Sequence, residues 1–330
     1  MLYPFIFKPI FKDRIWGGRE LEKLFGKKIP AGNIGEAWEI SDRPGDASVI
    51  ANGNFAGNDL RWLMEHHAAE ILGQANPAAD GRFPLLCKIL DAREKLSLQV
   101  HPPARKAAEL KGEPKTEMWF IAAAAPDASL YVGLKRGVTR AEFEQKISDG
   151  SVADCFHKIP VRAGDTMFLP SGRVHAIGEG LVIFEVQQNS DTTYRVFDWN
   201  RVGLDGQARE LHIAQSLASI DFSDFEPKLV ESKFQDSDFF KSRRLVDHPL
   251  FTVLEMQTKP GKIDSELKTK PGAQKPVIVA LTKGGAKIAD AHSGIAVDLK
   301  PGDFCLLPAC LEKVGLQTLV NTSFLWVEAN

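Results

Sequence analysis

The chain has 330 residues, 44% of them hydrophobic, which is enough to bury a large core and favours division into two domains. A formal net charge of -2 excludes the basic balance of a nucleic-acid binder or of a protein drawn to acidic membranes, so an anionic ligand must be met by a local cluster of Lys and Arg. The four cysteines, Cys87, Cys155, Cys305 and Cys310, show neither CxxC nor disulfide-like spacing, which predicts a reducing, cytoplasmic compartment.

Residues 1–55 read as short strands and turns, with Trp16-Gly17-Gly18 and Gly35-Glu36-Ala37-Trp38 as the unusual clusters. Residues 1–9 are apolar but broken by Pro4, Lys8 and Pro9, and they lack a basic n-region and a small-residue cleavage site, so no signal peptide is expected. No run approaches ~18 apolar residues, so no membrane span is expected. Asn58 is the expected cap of a helix through Leu60, Leu63 and Met64 to about Leu72. Residues 84–90 and 96–101 read as strands. In the second, alternation sets Leu96, Leu98 and Val100 on one face and Ser97, Gln99 and His101 on the other, before Pro102-Pro103 stops it. A short helix over residues 104–110 leads to a strand at 117–123, and the same alternation places Lys115, Glu117 and Trp119 together. A strand over 129–134 follows, then a helix capped by Thr139, carrying Phe143 and Ile147, and ended by Gly150.

From residue 158 to 199 the pattern is β throughout, with turns at Gly164-Asp165, Pro170-Ser171-Gly172 and Gly178-Glu179-Gly180, as in a sandwich or jelly roll. Residues 211–220 read as a helix and 222–228, by composition, as a linker. Strands then dominate to residue 327, with turns at Pro260-Gly261, Pro271-Gly272, Gly284-Gly285 and Pro301-Gly302. One internal repeat stands out: Gly164-Asp-Thr-Met-Phe-Leu-Pro170 is echoed by Gly302-Asp-Phe-Cys-Leu-Leu-Pro308. His175 lies eleven residues after Gly164, and the matching position after Gly302 is Lys313, so the second copy is expected to be structural.

The spacing Gly164-x5-Pro170-x-Gly172-x2-His175 matches the second signature of the cupin barrels. Those barrels place His-x-His and a Glu earlier in the chain; here Gln99-x-His101 and Glu117 stand instead. With Leu96-Ser-Leu-Gln-Val-His-Pro102, Lys115-Thr-Glu117, His175-Ala-Ile-Gly178 and Ser190-Asp-Thr-Thr-Tyr-Arg195-Val-Phe-Asp-Trp199, the chain resembles the type I mannose-6-phosphate isomerases in their short bacterial form. The likeness covers most of residues 1–215 and is looser beyond. It implies a mainly β protein of two cupin-type jelly-roll barrels, with a helical insertion around the N-terminal catalytic barrel. Residues 1–225 would be the catalytic cupin domain with its helical segment, and 226–330 a metal-free, cupin-like β domain.

The resemblance further implies one Zn2+ per chain held by Gln99, His101, Glu117 and His175. The chemistry agrees, because borderline-soft Zn2+ takes His nitrogen and carboxylate oxygen, and a neutral Gln oxygen leaves the site a strong Lewis acid. Any one of these histidines alone is more simply a packed residue, and His66, His67, His157, His212, His248 and His292 are read that way. Ser97, Lys88, Lys115 and Trp16 are the expected substrate-binding residues. Lys88 interrupts the apolar run 83–90 and must snorkel or meet an anion, the second being favoured. Arg195 is the expected active-site arginine, with Asp191 and Glu36 as alternative proton carriers and water on the metal as a third. The function implied is zinc-dependent interconversion of mannose 6-phosphate and fructose 6-phosphate through a cis-enediol. The expected partner is thus a small sugar phosphate, with no nucleic acid or membrane, in a monomer or homodimer. The rival readings are an Fe(II) oxygenase of the cupin type, disfavoured by Gln99, and a non-catalytic sugar-phosphate-binding cupin.

Overall fold

Side chains that alternate between two faces sort the strands of this mainly β chain into layers. The computed structural model describes residues 1–203, 206–259, 265–267, 275–318 and 321–330. Six antiparallel strands, in the order Thr166–Leu169, Glu117–Ala124, Leu181–Gln188, Leu85–Ala92, Ile34–Ile40 and Ile10–Gly18, form one sheet. Five more, Phe156–Pro160, Ser129–Leu134, His175–Ile177, Leu98–Val100 and Tyr194–Phe197, form a second. In the strand Glu117–Ala124, Trp119 and Ile121 point into a core shared with Leu130, Val132 and Ile177 of the second sheet. Their neighbours Met118 and Phe120 point the other way.

That other face packs on a second six-stranded sheet from the C-terminal half, ordered Gln235–Asp236, Phe240–His248, Phe251–Thr258, Ser323–Ala329, Val277–Lys283 and Phe304–Leu307. Phe120, Phe184 and Ile89 meet Ile278, Phe304 and Val327 there. The period of two repeats: Ile278 and Ala280 join this central core, while Val277, Val279 and Leu281 face a third one. The four-stranded sheet Ser265–Leu267, Val314–Thr318, Ala286–Asp290 and Ala296–Leu299 closes that third core with Ile288, Val297 and Leu316. Each such fully buried aliphatic contributes about 1.5–3 kcal/mol by leaving water, which holds the layers in register.

The helices follow their capping chemistry. Leu60–Leu72 is capped by Asp59, whose carboxylate accepts the Trp62 N–H at 2.8 Å, one residue later than the expected Asn58. Thr139 caps Arg140–Asp149 through the Glu142 N–H, and Gly150 ends it at φ +80°, as the sequence predicts. The helices Arg140–Asp149 and Ile213–Ser219 bring Phe143, Ile147 and Leu217 to the outer face of the five-stranded sheet, against Leu98, Val100 and Val196. The segment 222–228 does not run free. Leu134 donates to the Asp224 carbonyl and accepts from the Glu226 N–H, and Val230 donates to Thr166. The predicted turns at Pro260-Gly261 and Pro271-Gly272 lie outside the described residues. Among the described residues no helix is long and apolar enough to cross a membrane.

Candidate active site and metal centre

The short strand Leu98–Val100 lies between His175–Ile177 and Tyr194–Phe197, and its central residue, Gln99, is the register partner of both His175 and Arg195. One sheet thus sets His175, Gln99 and Arg195 side by side, with His101 just beyond the strand. The opposing sheet supplies Glu117, the first residue of Glu117–Ala124. Ligand atoms of His101, Glu117 and His175 lie within 4.8 Å of one another, and all three residues are buried. His101 Nε2 is 3.6 Å from Glu117 Oε2, and His175 Nε2 is 3.4 Å from Glu117 Oε1.

The tautomers are fixed from outside. His101 Nδ1 is 2.7 Å from the Thr192 carbonyl and His175 Nδ1 is 2.9 Å from the Arg173 carbonyl, so both Nδ1 atoms carry the proton and both Nε2 lone pairs face inward. His101 Nε2 and both Glu117 oxygens are buried without an aligned hydrogen bond, although Lys115 Nζ stands 2.9 Å from Glu117 Oε2. Burial pushes the His175 pKa down to about 3, against the pull of Glu117, and lowers that of His101, so both rings are neutral near pH 7. Burial alone would raise the Glu117 pKa, but the Lys115 ammonium beside it holds it well below the carboxylate range. Two neutral imidazoles, one carboxylate and three orphaned lone-pair atoms fit a divalent cation of zinc type. Gln99 turns its amide nitrogen towards His175 Nε2 at 3.2 Å, while its oxygen accepts from Ser97 Oγ at 3.3 Å.

Beside this group opens a cavity of about 640 Å³ lined by Trp16, Glu36, Lys88, Ser97, Lys115 and Arg195, among others. Asp191 lines it too, with its side chain half exposed. Trp16 reaches the cavity because Gly35 leaves room: a Cβ there would sit 2.6 Å from the Trp16 ring. Every residue singled out from sequence therefore stands at the cavity or the metal group, though not all in the expected surroundings.

Lys88 does meet anions, but they are the protein's own: Glu36 at 3.5 Å, Glu185 at 3.6 Å and Asp191 at 3.8 Å, with Trp38 beneath it. That density of carboxylates makes its neighbourhood a poor seat for phosphate. Glu36 accepts from Arg14 Nε at 2.7 Å and Trp38 Nε1 at 2.6 Å. Burial would raise its pKa, yet Lys88, Arg14 and these hydrogen bonds bring it down to about 2. A carboxylate so firmly ionised is a weak proton carrier near neutral pH.

The residue that sequence reasoning missed is Glu185. It lines the cavity between Lys88 and Lys115, accepts from Trp119 Nε1 at 2.8 Å, and has its pKa raised chiefly by burial, with Glu117 adding to it. A signal existed, since it is the lone charged residue of the strand Leu181–Gln188, as Lys88 and Asp91 are the only charges in Leu85–Ala92. The two strands pair with Glu185 opposite Lys88.

Comparison with known proteins agrees with this geometry. Residues 5–119 match the family model for the catalytic domain of type I phosphomannose isomerase. The chain is 37% identical to a mannose-6-phosphate isomerase of Streptococcus mutans over 93% of either chain. It is 35% identical to one of Bacillus subtilis over 95% of this chain and 96% of the other. The crystal structure of a mannose 6-phosphate isomerase from Bacillus subtilis superposes over the whole of both chains with a TM-score of 0.88 at 30% identity. A chain so alike over nearly its full length, with this site at its centre, belongs to the type I mannose-6-phosphate isomerases, a family of aldose–ketose isomerases.

Proposed function

We propose that the chain interconverts mannose 6-phosphate and fructose 6-phosphate through a cis-enediol, with one zinc ion per chain held by His101, Glu117, His175 and Gln99. The observation that carries the metal assignment is the convergence of His101, Glu117 and His175 at one buried point, with His101 Nε2 and both Glu117 oxygens lacking an aligned hydrogen bond among the described residues, beside a cavity rimmed by cations. Gln99 would join by turning its amide, offering Oε1 inward and leaving its NH2 to donate to Ser97 Oγ. A bound Zn2+ would supply a Lewis acid that polarises the sugar carbonyl.

The chain's own residues do the rest. Isomerisation moves one proton between C1 and C2 and another between O1 and O2. Glu185 is the better-placed carrier: it is buried, faces the cavity, and holds its proton more tightly than an ordinary carboxylate. Asp191 is the second candidate, and Glu36 serves instead as a fixed anion that orients Lys88 and Arg14. Lys115 neutralises Glu117 and Glu185, and Arg195 presents to the substrate oxygens an Nε without a hydrogen-bond partner among the described residues. Trp16 and Ser97 wall the cavity.

In this reading residues 1–225 form the catalytic cupin-type barrel with its helical insertion, and 226–330 form a metal-free cupin-like barrel. The cysteines are all free, in keeping with a cytoplasmic enzyme acting as a monomer or homodimer. The test is to strip metal with a chelator, restore it with zinc, and follow conversion of mannose 6-phosphate. Activity should vanish and return with zinc; full activity in metal-free protein would overturn the assignment.

A further inference from the structure

The charges around the cavity fall into two groups. In one, Glu36, Glu117, Glu185 and Asp191 face Arg14, Lys88 and Lys115, with no excess of positive charge among the protein's own groups. In the other, two guanidiniums grip a single buried carboxylate and a third, that of Arg195, stands near them. Asp198 takes Arg209 in a fork, Nε to Oδ2 at 2.7 Å and Nη2 to Oδ1 at 2.5 Å, and its Oδ1 also accepts from Arg201 Nη2 at 2.8 Å. Arg201 is further held by the Lys95 carbonyl at 2.6 Å.

Arg195 and Arg209 line the cavity, whereas Asp198 and Arg201 do not. Arg195 donates from Nη1 to the Glu210 carbonyl at 2.7 Å, and its buried Nε has no hydrogen-bond partner among the described residues. The nearby acids, Glu94 and Glu210, are exposed, and Glu94 approaches no closer than 3.9 Å to Arg201. Among the described residues the arginine cluster thus holds three positive charges against one buried negative charge and two exposed negative ones. A phosphate monoester near neutral pH carries about two negative ones.

We propose that Asp198 is a positioning residue for the substrate's phosphate: it pins Arg209 beside Arg195, so that two guanidiniums lining the cavity converge on the dianion. The inference rests on the sugar-phosphate reading above. A free Arg side chain loses much rotamer entropy on gripping an anion; one already forked to Asp198 has lost it beforehand. Lys88, ringed by three carboxylates, takes no part in holding the phosphate.

The test uses the zinc-loaded protein, with inorganic phosphate as the probe in calorimetry and mannose 6-phosphate in steady-state kinetics. Arg209→Ala should weaken phosphate binding about tenfold, the loss of one charge-assisted contact. Asp198→Asn should weaken it about three- to fivefold, with the effect falling on KM more than on kcat, and Arg209→Lys should keep part of what Arg209→Ala loses. Thermal melts separate this from a purely structural role: an Asp198→Asn protein that melts early yet binds phosphate as tightly as wild type overturns the proposal. So does an Arg209→Ala protein with unchanged phosphate affinity. Wild-type protein that binds phosphate through Arg209 but turns over no sugar phosphate would instead sink the isomerase reading and leave this inference standing.

Discussion

The N-terminal and C-terminal β halves carry the same local scaffold and put opposite things inside it. In the first, the Gly164 N–H donates to the Ile121 carbonyl at 2.8 Å, the Ile121 N–H donates to the Asp165 carbonyl at 2.9 Å, and the Asp165 carboxylate accepts from the Arg162 N–H at 2.9 Å. In the second, Gly302, Asp303, Leu281 and Lys300 repeat each of those bonds, at nearly the same lengths. The strand that follows pairs Leu169 with Glu117 in one half and Leu307 with Val277 in the other, so Val277 occupies the place of the candidate metal carboxylate. Continuing across the registers, Trp326 stands where Glu185 does and Leu254 where Lys88 does. The fold does not require the site. The first half tolerates a cluster of buried charges only because Lys115, Lys88 and Arg14 answer its carboxylates.

The sharpest way to break the comparison is to exchange the residues. Glu117→Val should release the metal and lower turnover by roughly a thousandfold or more, about 4 kcal/mol of barrier. It should also destabilise the fold by about 3 kcal/mol, because Lys115 stays buried with only Glu185, at 3.9 Å, to answer it. Elemental analysis, turnover and a denaturant melt read all three. A variant that kept both zinc and activity would remove Glu117 from the centre.

The reciprocal change, Val277→Glu, puts a carboxylate into the apolar cluster of Val279, Leu281 and Phe324. Among the described residues that cluster holds no cation, so unfolding free energy should fall by about 3 kcal/mol. The protein that remains folded should bind no second metal. Loss of less than about 0.5 kcal/mol would mean that the second core admits charge as easily as the first, and the contrast drawn above would fail.

A third prediction concerns pH. The folded Glu36 titrates at about 2, below its ordinary value of 4.5, so its ionised form favours the native state. That stabilisation, on the order of 3 kcal/mol, is fully present above pH 4.5 and is lost as pH falls through about 2. Glu36→Gln should therefore be less stable near pH 6 and show a flatter stability–pH curve between pH 4.5 and 2. Parallel curves for the two proteins would show that Arg14 and Lys88 do not hold the carboxylate as the distances imply.

What could be read from the chain follows from how local each signal is. Thr139 and Gly150 define a helix by contacts within a turn, and the sequence places both ends correctly. The Gly164-to-His175 spacing and the Leu96-to-His101 alternation are also local, and they bring out Gln99, His101 and His175. Glu185 and Arg209 escaped because their meaning depends on register and on a neighbour far away in sequence: Glu185 matters as the partner of Lys88 and Trp119, Arg209 as the partner of Asp198. The sequence requires Lys88 to snorkel or to meet an anion, and whether that anion is substrate or protein is a question only the folded sheet answers. The same holds for residues 222–228, whose composition suggests a linker while Leu134 holds their backbone.

The smallest predicted effect separates the two halves most cleanly, because it compares like with like. Gly164 and Gly302 sit in equivalent turns with φ of +90° and +88°, a conformation that costs any L-residue about 1 kcal/mol or more. Their surroundings differ: a Cβ at Gly164 meets nothing within 4 Å, whereas one at Gly302 would lie 2.7 Å from the Phe25 ring. Phe25 is buried in the central core between the two halves, packed edge-on to Phe184, so it has little room to retreat. Gly164→Ala should therefore cost about 1 kcal/mol and Gly302→Ala about 1–2 kcal/mol more, read as a difference in denaturant midpoints. Equal losses would mean that the ring yields freely, and that the two turns are alike in packing as well as in hydrogen bonding.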